Sequence, residues 1–381
     1  MNNKMKVAVA GLGIHGSSAV YELASRECDV VGFDLYGPLH KNGSSHGRSR
    51  IIRLAYSESP NYVKLLIEGY KRWHALEEEC GRKLLLRTGG LIFGASKDHL
   101  VKGALESAAK FELAHRFMTP EDVATTFPGI RLAHDMVAFY EEEAGILDAD
   151  ACVESYQNQA KLKGADLHYG EEVLSYEASG SGLIVRTNKG TYEVDKLLIT
   201  TGPWAGELLA DLNLPLTVVR QVVAFFDPLA PELYTPQRCP IYYFEAPEGC
   251  YYGFPSLPGQ GLKFGRHDTV EVCTARNVRR EIDDAETTKL ATVLGKYLPS
   301  SAGTFREAQT CLYTNAPDRD FIVGIHPAHA NVVFGSWCGG HGFKFGSVSG
   351  KVHADLVING QTDLPIAFLC ADRFQAATIS G

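Results

Sequence analysis

Two glycine-rich clusters lie at opposite ends of this chain, Gly11-Leu12-Gly13-Ile14-His15-Gly16 and Gly339-Gly340-His341-Gly342-Phe343-Lys344-Phe345. The G-x-G-x-x-G spacing of the first suits a turn that holds phosphate oxygens on backbone N–H groups. Gly11 allows the tight turn, Gly13 lets the backbone approach a pyrophosphate, and Gly16 lets the next helix pack on the strand before it. Gly11, Gly13, Ile14, His15 and Gly16 are therefore candidate cofactor residues. The second cluster puts Lys344 in the first turn of a late helix, where a cation is locally unfavourable and so favours a functional reading. With Gly340, Gly342 and Phe343 it forms an entry suited to an electron-rich group. Two such clusters suggest one large dinucleotide laid across the whole fold, which favours FAD over a nicotinamide cofactor. Asp34, at the end of the second apolar run, is placed to accept from adenosine ribose hydroxyls and would repel a 2′-phosphate.

Further residues could do chemistry beside such a cofactor. Arg50 and Arg53 stand three apart around Ile51 and Ile52, after the polar loop 41–50 that carries Ser44 and His46. Lys263 is flanked by Leu262 and Phe264, so strand alternation puts it on one face alone. Tyr252 and His267 bracket it, and Cys311 opens Cys311-Leu312-Tyr313-Thr314. Taken singly, a strand lysine commonly faces solvent and a cysteine is commonly a small buried hydrophobe.

The elements that must position these groups begin with a strand at 6–10, a helix at 17–26 with Ala19, Val20, Leu23 and Ala24 on one side, and a strand at 28–33 ending in Asp34. This is a βαβ unit. An amphipathic helix is expected at 62–80, a strand at 91–93, and helices at 100–115 and 149–164. The segment 195–202 reads as a buried strand ending at Gly202, with Pro203 opening a helix. From 216 to 267 the pattern is β-rich, at 218–226, 241–244, 251–254 and 262–265, and 318–324 reads as a returning strand. The expected fold class is α/β (α+β overall): a Rossmann-like FAD-binding domain with an interleaved, mainly antiparallel-sheet substrate domain. The expected division is 1–86, 147–214 and 318–381 for the FAD-binding domain, and 87–146 and 215–317 for the substrate domain.

With 381 residues, 45% of them hydrophobic, the chain can bury a sizeable core. A net charge of −8 and the lack of a Lys/Arg run argue against nucleic acid or an anionic membrane as partner. The start lacks the regions of a signal peptide, no apolar stretch approaches the roughly 20 residues of a membrane helix, and Ile379-Ser380-Gly381 does not match the peroxisomal address. A cytoplasmic protein, monomeric or a small homo-oligomer, is expected. The nine cysteines include no C-x-x-C and no His/Cys cluster at metal spacing, so no metal is expected.

Set side by side, the segments resemble the monomeric sarcosine oxidase family, which also holds N-methyltryptophan oxidase and pipecolate oxidase, with fructosyl-amino-acid oxidases as relatives. The resemblance runs through nearly the whole chain. It rests on 43–53 (GSSHGRSRIIR), 88–94 (TGGLIFG), 251–255 (YYGFP), 261–263 (GLK), 311–314 (CLYT) and 340–345. It implies oxidation of the C–N bond of a secondary or primary α-amino acid by FAD, hydrolysis of the imine, and electron transfer to O₂ giving hydrogen peroxide. It further implies a thioether from Cys311 to the flavin, Arg50 beside the flavin, Arg53 and Lys344 on the substrate carboxylate, Lys263 as the site of O₂ activation, and Tyr252 and His267 lining the substrate cavity. The Gly340 carbonyl should face the substrate amine. Two departures bear on substrate. Ser336-Trp337-Cys338-Gly339 replaces smaller or different residues, so Trp337 either reshapes the pocket or packs in the core. Arg48 stands where relatives often carry a small or acidic residue. Alternatives that keep the fold are a dehydrogenase using a non-oxygen acceptor and a deglycating enzyme of the fructosyl-amino-acid oxidase type.

Overall fold

Val7, Ala8, Val9 and Ala10 are buried along the first strand, Lys6–Ala10, which has parallel neighbours on both sides. In the computed structural model, which describes residues 4–378, this strand lies near the centre of a six-stranded sheet. The residues 379–381 lie outside those described. The sheet order is Ile322–His326, His329–Ser336, Lys196–Ile199, Lys6–Ala10, Asp29–Asp34 and Asp166–Tyr169. All pairs are parallel except the edge hairpin of Ile322–His326 with His329–Ser336. Strands covered on both faces read as continuous apolar runs, which is why Leu197-Leu198-Ile199 shows no alternation.

The helix Ile14–Ser25 begins three residues earlier than its apolar pattern suggests, because the turn itself supplies its first residues. It packs against Gly346–Asn359 and Ala149–Leu162 and buries Val20 and Leu23 completely. Each such side chain contributes roughly 1.5–3 kcal/mol. Helix and strand meet closely at Gly16, where an added Cβ would lie 1.8 Å from the Gly11 carbonyl oxygen.

A second, nine-stranded sheet follows the order Glu271–Cys273, Thr217–Asp227, Gly261–Arg266, Gly249–Leu257, Ile241–Ala246, Gly90–Ala95, Met136–Glu141 and Arg116–Met118, with Thr304–Asn315 also paired to Thr217–Asp227. It is antiparallel except where Gly90–Ala95 meets Ile241–Ala246. Its faces differ sharply. Ala224, Phe226, Leu262 and Phe264 join a core with Leu290, Val293, Leu294 and Tyr297 of the helix Asp284–Tyr297. The alternate residues Val223, Lys263 and Cys311 face the cavity described below. A short sheet of Ser49–Ile52, Gly145–Asp148 and Leu85–Arg87 lies where the segments of the two large sheets meet in sequence, and it carries Arg50.

Several elements differ from the sequence expectation. The helix expected at 100–115 is His99–Phe111, because Glu112 turns left-handed (φ 53°) and Arg116–Met118 then joins the sheet. The strand expected at 195–202 ends at Ile199, and Gly202–Trp204 forms a 3₁₀ turn. The returning strand is Ile322–His326 rather than 318–324. A small sheet of Val173–Ser179, Gly182–Thr187 and Thr191–Val194 was not anticipated. No helix among the described residues is long and apolar enough to cross a membrane.

Candidate active site

One continuous cavity runs from Gly11, Asp34 and Gly202 at the parallel sheet to Lys263 and Cys311 at the other, and to Lys344 in the 3₁₀ turn Phe343–Phe345. At its first end Gly11 adopts φ +90° and its N–H donates to the Phe33 carbonyl (2.8 Å). Asp34 is almost fully buried and accepts from the N–H groups of Leu12 (2.8 Å) and Tyr36 (2.9 Å), so its carboxylate locks the turn. The Ile14 N–H donates to the Ser45 hydroxyl (3.0 Å), which brings the 41–50 loop onto the helix start. The space beside Gly13 is filled by that same hydroxyl: an added Cβ would lie 2.9 Å from Ser45 Oγ. His15 turns away from this end, bonding Ser349 Oγ through Nδ1 (2.7 Å) and stacking on Trp337.

The residues along this cavity fit a long polar cofactor such as FAD. Thr201 Oγ1, Trp204 Nε1, both ring nitrogens of His46 and Gln309 Oε1 are buried, without partners, and belong to cavity-lining residues. Buried polar atoms left unpaired are costly, so these mark where a polar occupant belongs. His46 is pushed down to about 3 by burial and by Arg50, and so lines the cavity as a neutral ring.

Farther along, a knot of cations forms around the 44–49 backbone. Arg50 donates to the carbonyls of Ser49 (2.9 Å), Ser44 (2.9 Å) and His46, with its guanidinium over the Phe343 ring (5.5 Å). Lys263 is buried and donates to the carbonyls of Gly47 and Ser49 (2.9 Å each). Burial, with Arg50 nearby, holds this ammonium well below its ordinary pKa. Cys311 lies directly across from Gln221, with Sγ 3.9 Å from the Leu312 carbonyl. That carbonyl also accepts from Ser44 Oγ (2.7 Å) and lies 3.7 Å from Cys338 Sγ. Arg48 pairs with Glu307 (2.8 Å), which explains how a large cation is accommodated there.

At the far end, Arg53 is 3% exposed and donates to Glu58 (2.7 Å) and to the Ala55 carbonyl. The turn that aims it is held from the other sheet, since Glu141 accepts from the N–H groups of Leu54 (2.6 Å) and Ala55 (2.8 Å). Lys344 is equally buried and donates to the His341 carbonyl (2.7 Å). Burial and the neighbouring Arg53 lower its pKa to about 7. Burial opposes the charge of Glu58, yet Arg53, with His341 and Lys344, keeps it below its ordinary value.

Tyr252, His267, Tyr243 and Tyr313 wall this end with aromatic rings, His267 lying 5.4 to 6.3 Å from the other three. Gly340 (φ +80°) sits so close that an added Cβ would be 2.4 Å from the Tyr313 ring and 2.9 Å from His267. Burial brings His267 down to about 4 and pushes Tyr252 up to about 12, so both are neutral near pH 7. Gly342 makes the turn possible, since a Cβ there would lie 1.4 Å from the Trp337 carbonyl oxygen. The Trp337 side chain itself is core: it packs on Phe321 and donates from Nε1 to His353 Nε2 (3.0 Å). Of the two readings left open for it, the structure places the indole in the core.

Thus Arg53, Lys344, Tyr252, His267, Gly340, Lys263, Arg50 and Cys311 line one cavity with Gly11, Gly13, Ile14, Asp34, Ser44, His46, Gly202, Gly342 and Phe343. Tyr56, Glu58, Tyr243 and Glu141 escaped the sequence reading, while Ser45, Tyr313 and His341 lay inside its motifs without being given a role. Glu58 left one weak signal, an acid five residues beyond a cation in an apolar frame. Away from the cavity, Asp211, His326 and His329 form the one His/Cys/acid cluster with metal-ligand spacing among the described residues. There His326 Nδ1 accepts from the Ala328 N–H (3.1 Å), so Nε2 holds the proton donated to Asp211 (2.8 Å) and has no lone pair for a cation.

With this geometry in place, the chain's kinship is decisive. Residues 6–356 match the family described as FAD dependent oxidoreductase. A monomeric sarcosine oxidase of Streptomyces avermitilis is 37% identical across 99% of this chain and 100% of that protein. This chain belongs to the monomeric sarcosine oxidase family of FAD-dependent oxidoreductases. An N-methyl-L-tryptophan oxidase of Salmonella newport is 29% identical across 97% of the chain and 99% of that protein. In fold the chain is similar to NikD, an unusual amino acid oxidase, with a TM-score of 0.86 over 96% of this chain and 97% of that one at 24% identity. Family membership makes the chain an FAD-dependent amine oxidoreductase.

Proposed function

We propose that the protein is an oxidase of the C–N bond of an α-amino acid, secondary (N-alkyl) or primary, with the carboxylate held by Arg53 and Lys344. One observation carries this reading: two buried cations close the far end of the cofactor cavity, beside neutral aromatic walls. The chemistry FAD supplies when bound is acceptance of two electrons from the C–N bond and their passage to O₂, so that imine hydrolysis and hydrogen peroxide follow. The chain's residues bind, orient and exclude water. An incoming carboxylate takes the place of Glu58 on Arg53 and meets the guanidinium through two parallel hydrogen bonds. Tyr252, His267 and Tyr313 surround the amine next to Gly340 and, being neutral, add no charge against it. The cations nearby favour the neutral amine, the form able to give up electrons. Lys263, with the Arg50 guanidinium nearby, marks a site of positive potential where negative charge develops on O₂.

We also read Cys311 as the thioether anchor of the flavin, with Arg50 and His46 beside it. Intact mass under denaturing conditions tests this: the expected mass is chain plus FAD, and a bare chain from Cys311→Ser. A bare wild-type chain that releases all its flavin contradicts the anchor. The division into 1–86, 147–214 and 318–381 against 87–146 and 215–317 is proposed for the two domains, as is a cytoplasmic monomer or small homo-oligomer. This division leaves the sheet of Ser49–Ile52, Gly145–Asp148 and Leu85–Arg87 on the boundary, consistent with its carrying Arg50 to the interface.

A further inference from the structure

Two cations held side by side out of water repel each other, and burial strips both of hydration. Arg53 and Lys344 are in this position, and Glu58 compensates only the first directly. A second group, this one neutral, lies close to both. The Arg53 guanidinium carbon is 4.5 Å and the Lys344 Nζ is 5.2 Å from the centroid of one ring, that of Tyr56. The ring is completely buried, and its negative quadrupole face attracts a cation without itself carrying charge.

Tyr56 is held unusually firmly for this purpose. Its hydroxyl bonds to His341 Nδ1, and His341 Nε2 donates to the Arg319 carbonyl (3.1 Å), so the ring tautomer is set with Nδ1 as acceptor. The Tyr56 carbonyl accepts from Ser107 Oγ (2.6 Å). Tyr62 and Phe345 pack on its ring at 4.9 and 5.5 Å. His341 is also the residue whose carbonyl receives Lys344. One tyrosine–histidine pair therefore fixes the ring under both cations and the backbone acceptor of one.

We propose that Tyr56 is a positioning residue of the carboxylate site, its ring serving as the platform shared by Arg53 and Lys344 and its angle set by His341. This inference rests on the reading of Arg53 and Lys344 as carboxylate ligands. It extends that reading to a group that touches neither cofactor nor carboxylate. When Glu58 gives way to substrate, the platform keeps the two cations paired through the exchange. An aliphatic side chain at this position leaves them facing each other across an apolar gap.

The test uses the FAD-loaded enzyme with Tyr56→Phe, Tyr56→Leu and Arg53→Ala. Propionate, which offers a carboxylate and no oxidisable amine, is titrated calorimetrically, and KM and kcat are measured on the preferred amino acid. Expected for Tyr56→Leu is a weakening of propionate by at least about tenfold, with KM rising by more than kcat falls. Tyr56→Phe keeps the ring and is expected to stay within about threefold of the parent. Equal weakening in the Phe and Leu variants overturns the platform, as does a Leu variant that binds like the parent. If the Leu variant does not fold, progressively fluorinated phenylalanines at position 56 replace it. A graded loss of propionate affinity with fluorination is expected, and a flat series overturns the inference. Arg53→Ala separates the two ideas: unchanged propionate binding in that variant defeats the carboxylate reading itself.

Discussion

At the scale of single residues, charge state decides most of what this cavity can do. Lys344, brought to about 7 by burial and Arg53, is a cation below that pH and neutral above it. Carboxylate affinity is therefore expected to fall as pH rises through about 7, and a bound anion shifts the midpoint upward. Titrating propionate over roughly pH 6 to 9 checks this, and Lys344→Met is expected to flatten the profile. Arg53 stays charged throughout that range. Its Arg53→Ala variant is expected to lose about 2–4 kcal/mol of carboxylate binding, because the buried carboxylate loses its two-bond guanidinium partner and keeps only Lys344. Lys263→Met is expected to slow the reaction of the reduced enzyme with O₂ far more than its reduction by substrate. Stopped-flow measurement of the two half-reactions separates these, and an unchanged oxygen step removes Lys263 from that role. Arg53, Lys344, Lys263 and Cys311 were legible because motifs surround them. Tyr56 and Glu58 were not, because a buried tyrosine or acid looks in sequence like any other, and only the fold shows which cation it faces. His341 lay inside a motif, yet only the fold shows that its ring meets Tyr56.

At the scale of elements, close approach matters more than propensity. The helix Ile14–Ser25 has no side-chain cap at Gly13 and no acid in its first turn, and its Ile14 N–H is met by the Ser45 hydroxyl from the 41–50 loop, so the positive end of its dipole is left without a compensating charge of its own. Gly16 lets it sit on the turn, and the space for a methyl group is absent. Gly16→Ala is expected to cost about 1–3 kcal/mol or more and to lower flavin content at the same time. A thermal melt with the flavin absorbance of the purified variant reads both, and full flavin with a parental melt contradicts the packing role. The βαβ unit was readable since strand, turn, helix and acid occur in order. The small sheet spanning Val173–Val194 was not, because its alternation is weak and two of its strand ends, Ser179 and Thr191, are exposed polar residues. Likewise, the role expected for Gly13 in approaching a pyrophosphate is shared with a contact to Ser45 that no spacing rule announces.

At the scale of the whole molecule, the active site exists only because two sheets face each other. The parallel sheet supplies the turn at Gly11, the antiparallel sheet supplies Lys263 and Cys311, and the short sheet between them carries Arg50 and leads to Arg53. Glu141 ties the strand Met136–Glu141 to the Arg53 turn, so the proposed carboxylate site is held from both large sheets. Glu141→Gln is expected to leave the fold intact while weakening propionate binding, since one of the two oxygens that accept from the Leu54 and Ala55 N–H groups becomes an amide NH₂ that cannot accept. The same variant should bind free FAD as the parent does when Cys311 is replaced by Ser.

The central claim is that an amino acid, held by its carboxylate, loses electrons from its C–N bond to O₂ through this cavity. The most direct measurement is peroxide formation by the FAD-loaded enzyme from a panel of N-methyl and primary α-amino acids, each beside its matched amine lacking the carboxylate. Expected is peroxide from at least one amino acid, with kcat/KM for the matched amine lower by about 30-fold or more. Peroxide formed equally well from the amine without its carboxylate, or from no member of the panel by fully flavin-loaded enzyme, contradicts it.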